Sequence, residues 1–257
     1  MDEATRSLLE VTGKPIFPPA YDDVKLPAGE DAFEAALAAA RQGADPATLF
    51  WEDRADRVEL AIVLHPEQAL AQVLPILHVG MIGIGDALGA IVPPQVAVLF
   101  GWPDRIEVNG GLVGGLRLAA PEGCAADAVP DWLVLGLTIL VQRELVGGEE
   151  PGMDPTRTAL HEEGCGELTV PDILEAFSRH FLLWVNRFGE EGLRPVAAHW
   201  LERGSGYKES VALSYAGEQH AGIFTGLDDS GGMLLQTETV EALPLSAVLG
   251  RAGCSRV

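Results

Sequence analysis

Positive charge is what this sequence has least of. Its 257 residues carry 17 Lys and Arg against 38 Asp and Glu, a formal charge of −21 at pH 7, and Lys14, Lys25 and Lys208 are the only lysines. A nucleic-acid partner is excluded on that ground, because phosphate backbones are bound by clustered Lys and Arg that displace counterions. An anionic membrane surface is disfavoured for the same reason. Cysteine is nearly as scarce: Cys124, Cys165 and Cys254 have no paired spacing, so no disulfide framework is expected and a reducing, cytoplasmic setting fits. Met1 to Glu10 is charged, which argues against a signal peptide. The most apolar stretch, Leu70 to Val92, is interrupted by Gln72, Pro75, His78 and Asp86, so it reads as a buried core helix and no membrane span is expected. What is present is a 47% hydrophobic chain, long enough for one large domain with a small appendage.

Periodicity divides the chain. Pro15, Pro18, Pro19 and Pro27 impose extended backbone on the first 30 residues, an arm rather than a helix. Asp31 to Gln42 predicts a helix stopped by Gly43, and Leu49 to Trp51 and Val58 to Leu64 predict strands around a polar turn. Pro66 to Ile91 reads as helix and Ala97 to Gly101 as strand. Asp104 to Leu118 reads as a hairpin turned at Asn109-Gly110-Gly111, followed by a strand from Trp132 to Val141. Gly147 to Thr156 reads as a loop and Thr158 to Gly164 as a short helical turn. A long amphipathic helix starts at Thr169, capped by Thr169 or Asp172, and Leu193 to Glu202 forms a second. From Tyr207 short alternating runs, with turns at Ala216-Gly217 and Asp228 to Gly232, predict a small all-β domain.

The strongest local signal runs from Phe100 to Leu116. A strand ends in Gly101-Trp102-Pro103-Asp104-Arg105, and a hairpin follows through Asn109-Gly110-Gly111-Leu112-Val113-Gly114-Gly115. This segment resembles the biotin-protein ligase family, whose signature is Lys-Trp-Pro-Asn-Asp followed by Asn-Gly-x-Lys-x-x-Gly. The resemblance extends over nearly the whole chain. It takes in the preceding core helix, the strand Val134 to Ile139 in place of a Gly-x-Gly-x-Asn strand, the turn Thr158 to Gly164, the two later helices and the C-terminal β module.

The resemblance implies an α/β fold of the class II synthetase-like biotin/lipoate ligase type, with a mixed or antiparallel sheet backed by helices and a C-terminal SH3-like β-barrel. The expected divisions are an arm at 1–30, a ligase-like catalytic domain at 31–206 and the barrel at 207–257. A helix-turn-helix has no room before Asp31. The implied reaction activates a small carboxylic acid, biotin or lipoate, with ATP and Mg2+, and passes it through an acyl-adenylate to a lysine of a biotin or lipoyl carrier protein. A homodimer is compatible with this scaffold.

The pattern departs from the family wherever the chemistry needs positive charge. The motif lysine falls on Gly101, its asparagine on Asp104 and its aspartate on Arg105, whereas Trp102 and Pro103 match. The hairpin lysine falls on Leu112, while Gly115 matches and Gly114 adds a second small residue. Gly136 matches on the next strand, but the second glycine becomes Thr138 and the asparagine falls near Leu140. The Gly/Arg-rich nucleotide loop has no counterpart, and Arg54 and Arg57 are the nearest basic residues.

Two readings of these departures stand. In one, Arg54, Arg57, Arg105 and Arg117 replace the missing charge, because arginine clamps carboxylate or phosphate bidentately, and Asp104 holds a metal or a hydrogen bond. The cleft would then be lined by Trp51, Arg54, Arg57, Trp102, Gly114, Gly115, Arg117 and Gly136, with Arg105 and Asp104 as the catalytic pair. In the other, adenylation is lost and the scaffold persists as a ligand- or carrier-binding protein, or as an acyltransferase that needs no ATP. Each motif also has a plainer reading. Trp102-Pro103 can be a core corner, the paired glycines can serve close strand packing, and Arg54 and Arg57 can pair with Asp53 and Asp56. His161, Glu162, Glu163 and Cys165 lie within one short turn and lack the spacing of a metal site, so no metal ligands are assigned.

Overall fold

The computed structural model describes residues 13–143 and 156–249. The loop expected at 147–156 therefore lies almost wholly outside the described residues. A seven-stranded sheet has the order β1(Asp22–Leu26), β2(Thr48–Glu52), β3(Arg57–Leu64), β7(Leu133–Leu140), β6(Gly111–Ala119), β5(Arg105–Val108), β4(Val98–Gly101). Among the described residues β1 pairs in parallel along β2 and the other strand ladders of this sheet are antiparallel, with isolated parallel bridges at Phe100–Gly204 and Leu112–Arg157. The proline-rich segment is extended, as expected, yet it does more than lie on the domain: Asp22–Leu26 is the edge strand of the sheet. The prolines flank that strand, Pro18 and Pro19 before it and Pro27 directly after it, and none interrupts its ladder.

Register separates the sheet's two faces. On β3, Val58, Leu60 and Ile62 point into one core, while Ala61 and Val63 point into another. On β7, Leu133, Leu135, Leu137 and Ile139 share the first core and Val134 the second, so this central strand is buried along its whole length. The larger core is covered by α2(Leu70–Val73), α3(Ile76–Ile91), α4(Val170–Glu191) and α5(Leu193–Glu202), and the smaller by α1(Ala32–Arg41). The segment Leu70–Ile91 is long and apolar enough to cross a membrane, but 78% of its most apolar window is buried inside the protein, where it serves as the core helix.

Local chemistry explains the element ends. Asp31 caps α1, its Oδ1 accepting from Phe33 N at 2.8 Å and Glu34 N at 3.2 Å. Thr169 and Asp172 form a reciprocal capping box on α4, so both expected caps act together. The β5–β6 turn places Asn109 at φ 51° and Gly110 at φ 88°, the left-handed pair that a tight hairpin requires. Residues 160–164 form successive turns without a helix.

The C-terminal β module is a four-stranded antiparallel sheet, β11(Val240–Leu243), β10(Met233–Gln236), β9(Glu218–Leu227), β8(Ser210–Tyr215), with a 3-10 turn at Leu245–Val248. Its inward side chains Tyr215, Phe224, Met233 and Leu235 belong to the same buried cluster as α3 and α5. The boundary expected at 207 thus separates two sheets that share one core. Gly231 O, in the β9–β10 turn, accepts from His78 Nε2 at 2.8 Å and from Trp102 Nε1 at 3.2 Å.

Candidate functional site

Antiparallel pairing puts opposed residues on one face, and the α1 face of the sheet collects polar groups in two adjacent rows. In the first row Glu59 lies opposite Thr138, Thr138 opposite Gly115, and Gly115 opposite Arg105. In the second, Ala61 lies opposite Gly136 and Gly136 opposite Arg117. Four residues expected in the cleft, Gly115, Gly136, Arg105 and Arg117, are therefore brought onto one surface. A cavity of about 690 Å³ opens beside α1 and is lined in part by Glu59, Arg117, Asp31, Phe33 and Trp132.

Side-chain geometry fixes this surface. Arg117 Nη2 and Nη1 donate to Asp31 Oδ1 and Oδ2 at 2.9 and 3.3 Å, and the guanidinium stands 4.3 Å from the centre of the Phe33 ring. A Cβ on Gly136 would come 2.6 Å from Phe33 Cδ2, so glycine makes room for the ring that Arg117 covers. Burial opposes ionisation of Asp31, but Arg117 and the two capping amides outweigh it and hold this carboxyl below the ordinary range. Glu59 behaves oppositely. Burial pushes it up to about 7, only partly offset by the Thr138 hydrogen bond of 2.9 Å and the charges of Arg117 and Arg57. Glu59, Phe33 and Asp31 were not singled out from the sequence. The available signal was a lone acid in the apolar run Arg57–Leu64, opposite a threonine where the related motif has glycine.

The other expected residues lie elsewhere. Trp51 pairs with Leu60 and is fully buried in the opposite core, its Nε1 donating to Asp23 Oδ2 at 3.3 Å, so it does not line this cleft. Trp102, at the end of a cis peptide with Pro103, packs 4.6 Å from the Tyr215 ring and joins the two sheets. Gly114 faces the main core, where a Cβ would lie 2.0 Å from Thr138 O, and its role is close strand packing. Arg54 is taken up by Asp56 through Nε and Nη2 at 2.6 and 2.7 Å, and by Glu52 at 3.2 Å. Arg57 Nε reaches Asp56 Oδ2 at 3.4 Å. These pairings leave Arg54 little reach toward a ligand. Asp104 lies in the β4–β5 turn, its carbonyl accepting from Leu116 N at 2.8 Å.

At the position of the motif lysine, Gly101 lies opposite Arg105, and Arg105 Nε stands 2.9 Å from where a Gly101 Cβ would be. Arg105 thus lies across the space that the lysine stem would need. Leu112, at the hairpin lysine, donates its amide to Thr156 O at 2.9 Å and accepts from Thr158 N at 2.9 Å. The cluster at 161–165 is also accounted for: Arg143 binds Glu162, while Asn109 and Thr158 bind Glu163. Among the described residues no group of three or more His, Cys, Asp or Glu is placed to hold a metal ion. The described side chains do not form an all-protein Mg2+ site.

A sheet face bearing Gly115 and Gly136 and roofed by a short helix, with Arg117 and the half-buried Glu59 at a cavity that Arg41 and Asp31 also line, and a second β module joined to the same core, defines an α/β protein with a ligand-sized cleft. Residues 17–202 match the model of the Biotin/lipoate A/B protein ligase family, and the chain belongs to that family. It is 27% identical over 177 residues to a biotin–[acetyl-CoA-carboxylase] ligase of Paracoccus denitrificans, covering 68% of this chain and 72% of that protein. A biotin protein ligase-like protein of unknown function from Silicibacter sp. TM1040 superposes with a TM-score of 0.83 at 37% identity, over 93% of this chain and all of the other. The biotin protein ligase of Aquifex aeolicus, at 16% identity and a TM-score of 0.69 over 89% and 96% of the two chains, shares the fold.

Proposed function

We propose that this protein binds a small carboxylic acid, of the biotin or lipoate kind, in the cleft between α1 and the β3–β7–β6 face, and passes it to a lysine of a carrier protein after activation by ATP. The observation that carries this reading is Arg117, a guanidinium on a glycine-lined sheet face at the rim of a ligand-sized cavity, in a member of a ligase family. A solved relative, the Aquifex aeolicus biotin protein ligase, is described in complex with biotin and ATP. In the activation step a carboxylate oxygen attacks the α-phosphorus and pyrophosphate leaves, and the carrier amine then displaces AMP. Bringing two anions together needs nearby positive charge. Arg117 and Arg105 lie on this face with Arg57, which is taken up by Asp56, and Arg105 lies across Gly101 where the family motif has lysine.

Two observations favour a second reading, a non-catalytic acid-binding protein. Leu112 stands at the hairpin lysine, and Arg54 is consumed by two carboxylates. Pyrophosphate–ATP exchange with biotin, lipoate and octanoate separates the two. Exchange with one acid supports activation. Binding of an acid without exchange supports the second reading, and neither binding nor exchange with any of the three overturns both.

A further inference from the structure

Glu59 sits on the cleft face with no acid or base of its own strand facing it except Arg57. From β7 it meets Thr138, from β6 Arg117, and from the α1 side Asp31, with Glu34, Arg41 and the loop acid Glu122 at the same cavity. Among the described residues the Thr138 hydroxyl is the one hydrogen-bond partner of this carboxyl, and it donates to Oε2. Arg117 gives one N–H from each terminal nitrogen to Asp31, so three of its five donors are not used by that pair. Two residues that line the same cavity are therefore able to meet a ligand, one as a permanent cation and one as a carboxyl.

We propose that Glu59 is the specificity group of this cleft, meeting a bound carboxylate as a neutral carboxylic acid that donates one hydrogen bond while Arg117 carries the opposing charge. The inference rests on the acid-binding reading above. The physical reason is that two carboxylates cannot share a site while both are ionised, so the pair retains one proton. Burial already pushes Glu59 up to about 7, and an arriving anion pushes it further. Selection follows from the same arrangement. A carboxylate accepts from both Arg117 and the Glu59 hydroxyl, whereas a primary amide of the same acid carries no charge for Arg117 to oppose and loses the charge-assisted hydrogen bond.

Proton uptake is the readout. Calorimetric titration of the whole protein with biotin, lipoate and octanoate, in two buffers of different ionisation heat, measures protons taken up on binding. Near pH 8 we expect uptake approaching one proton, and affinity that falls towards tenfold per pH unit above about 7. Glu59→Gln, which keeps an N–H donor and stays neutral, is expected to bind the same acid with no uptake and a flat pH profile. Binding by the unaltered protein with no proton uptake, or a Glu59→Gln variant that keeps the original slope, overturns the role of Glu59 and leaves the acid-binding reading standing. No binding of any of the three acids between pH 6 and about 8 overturns both.

Discussion

Thr138 Oγ1 donates a 2.9 Å hydrogen bond to Glu59 Oε2 across the β3–β7 pair, tying the raised carboxyl to the strand where the related motif has its second glycine. Burial raises Glu59 from its ordinary 4.5 to about 7. Between those values the folded state binds more protons than the unfolded one, so stability falls as pH rises through the window and the penalty is complete above about 7. Glu59→Gln removes it. Urea unfolding at pH 8 should find the variant more stable by about 1–3 kcal/mol, with the gain vanishing by about pH 4. Equal stabilities at pH 8 would show that Glu59 ionises freely in the fold.

His78 supplies the opposite slope. It is fully buried, and burial lowers it from 6.5 to about 4 against the pull of the Gly231 carbonyl and Asp228. Its Nε2 carries the proton given to Gly231 O, and its Nδ1 has no partner among the described residues. Here the unfolded chain takes up the extra proton, so stability is full above 6.5 and is lost as pH falls towards 4. The windows of Glu59 and His78 overlap between 4.5 and 6.5 with opposite signs. The unaltered protein should therefore show a shallow profile there. His78→Leu should cost about 1–3 kcal/mol at neutral pH through the lost bond to Gly231 and leave stability falling with rising pH. A flat profile in that variant would contradict the assignment.

Two glycines on the adjacent strands β6 and β7 test the difference between rigid and yielding neighbours. A Cβ on Gly114 would strike the Thr138 carbonyl oxygen at 2.0 Å, which is backbone held in the β6–β7 ladder. A Cβ on Gly136 would strike the Phe33 ring, which can turn or move with α1. Gly136→Ala should cost about 1–3 kcal/mol, in the range of an overpacked core, and Gly114→Ala distinctly more. Adding Phe33→Leu to Gly136→Ala should recover part of the loss but leave Gly114→Ala unchanged. Recovery of both by Phe33→Leu would mean the strands, not the ring, absorb the strain.

Much of the framework was legible because its signals are local. The α4 capping box, the Asn109-Gly110 turn and the Asp31 cap each depend on residues within a few positions of one another. The site was legible in half. Gly115, Gly136, Arg105 and Arg117 emerge on one face because strand alternation and motif spacing agree. Trp51 does not, because its face is decided by the pairing with Leu60, and a one-residue change of register reverses a strand's faces. Trp102 meets Tyr215 and Gly231 more than a hundred positions away, a contact that no local pattern encodes. Arg54 was open to either reading until its carboxylates were located, and one of them, Glu52, is an inner residue of the sheet rather than part of the turn.

Arg54 and Arg117 should consequently separate stability from binding. Arg54 neutralises Glu52, which is 2% exposed, and Asp56, whose carboxyl it holds below the ordinary range although burial opposes this. Arg54→Ala strands an almost fully buried carboxylate, so a loss of about 2–4 kcal/mol is expected by urea unfolding, with Arg54→Lys recovering only part because it cannot grip Asp56 bidentately. Arg117→Ala leaves Asp31 half-exposed and still capping α1, so the loss should be only about 1 kcal/mol, the scale of a partly exposed ion pair with a cation–π contact. Acid affinity should move the other way. Arg117→Ala should weaken carboxylate binding at least about tenfold, roughly 1.4 kcal/mol, while Arg54→Ala, assayed well below its denaturation midpoint, should leave it within about twofold. Weakening by Arg54→Ala with Arg117→Ala unchanged would remove the anion site from the α1 cleft and place it at the β2–β3 turn.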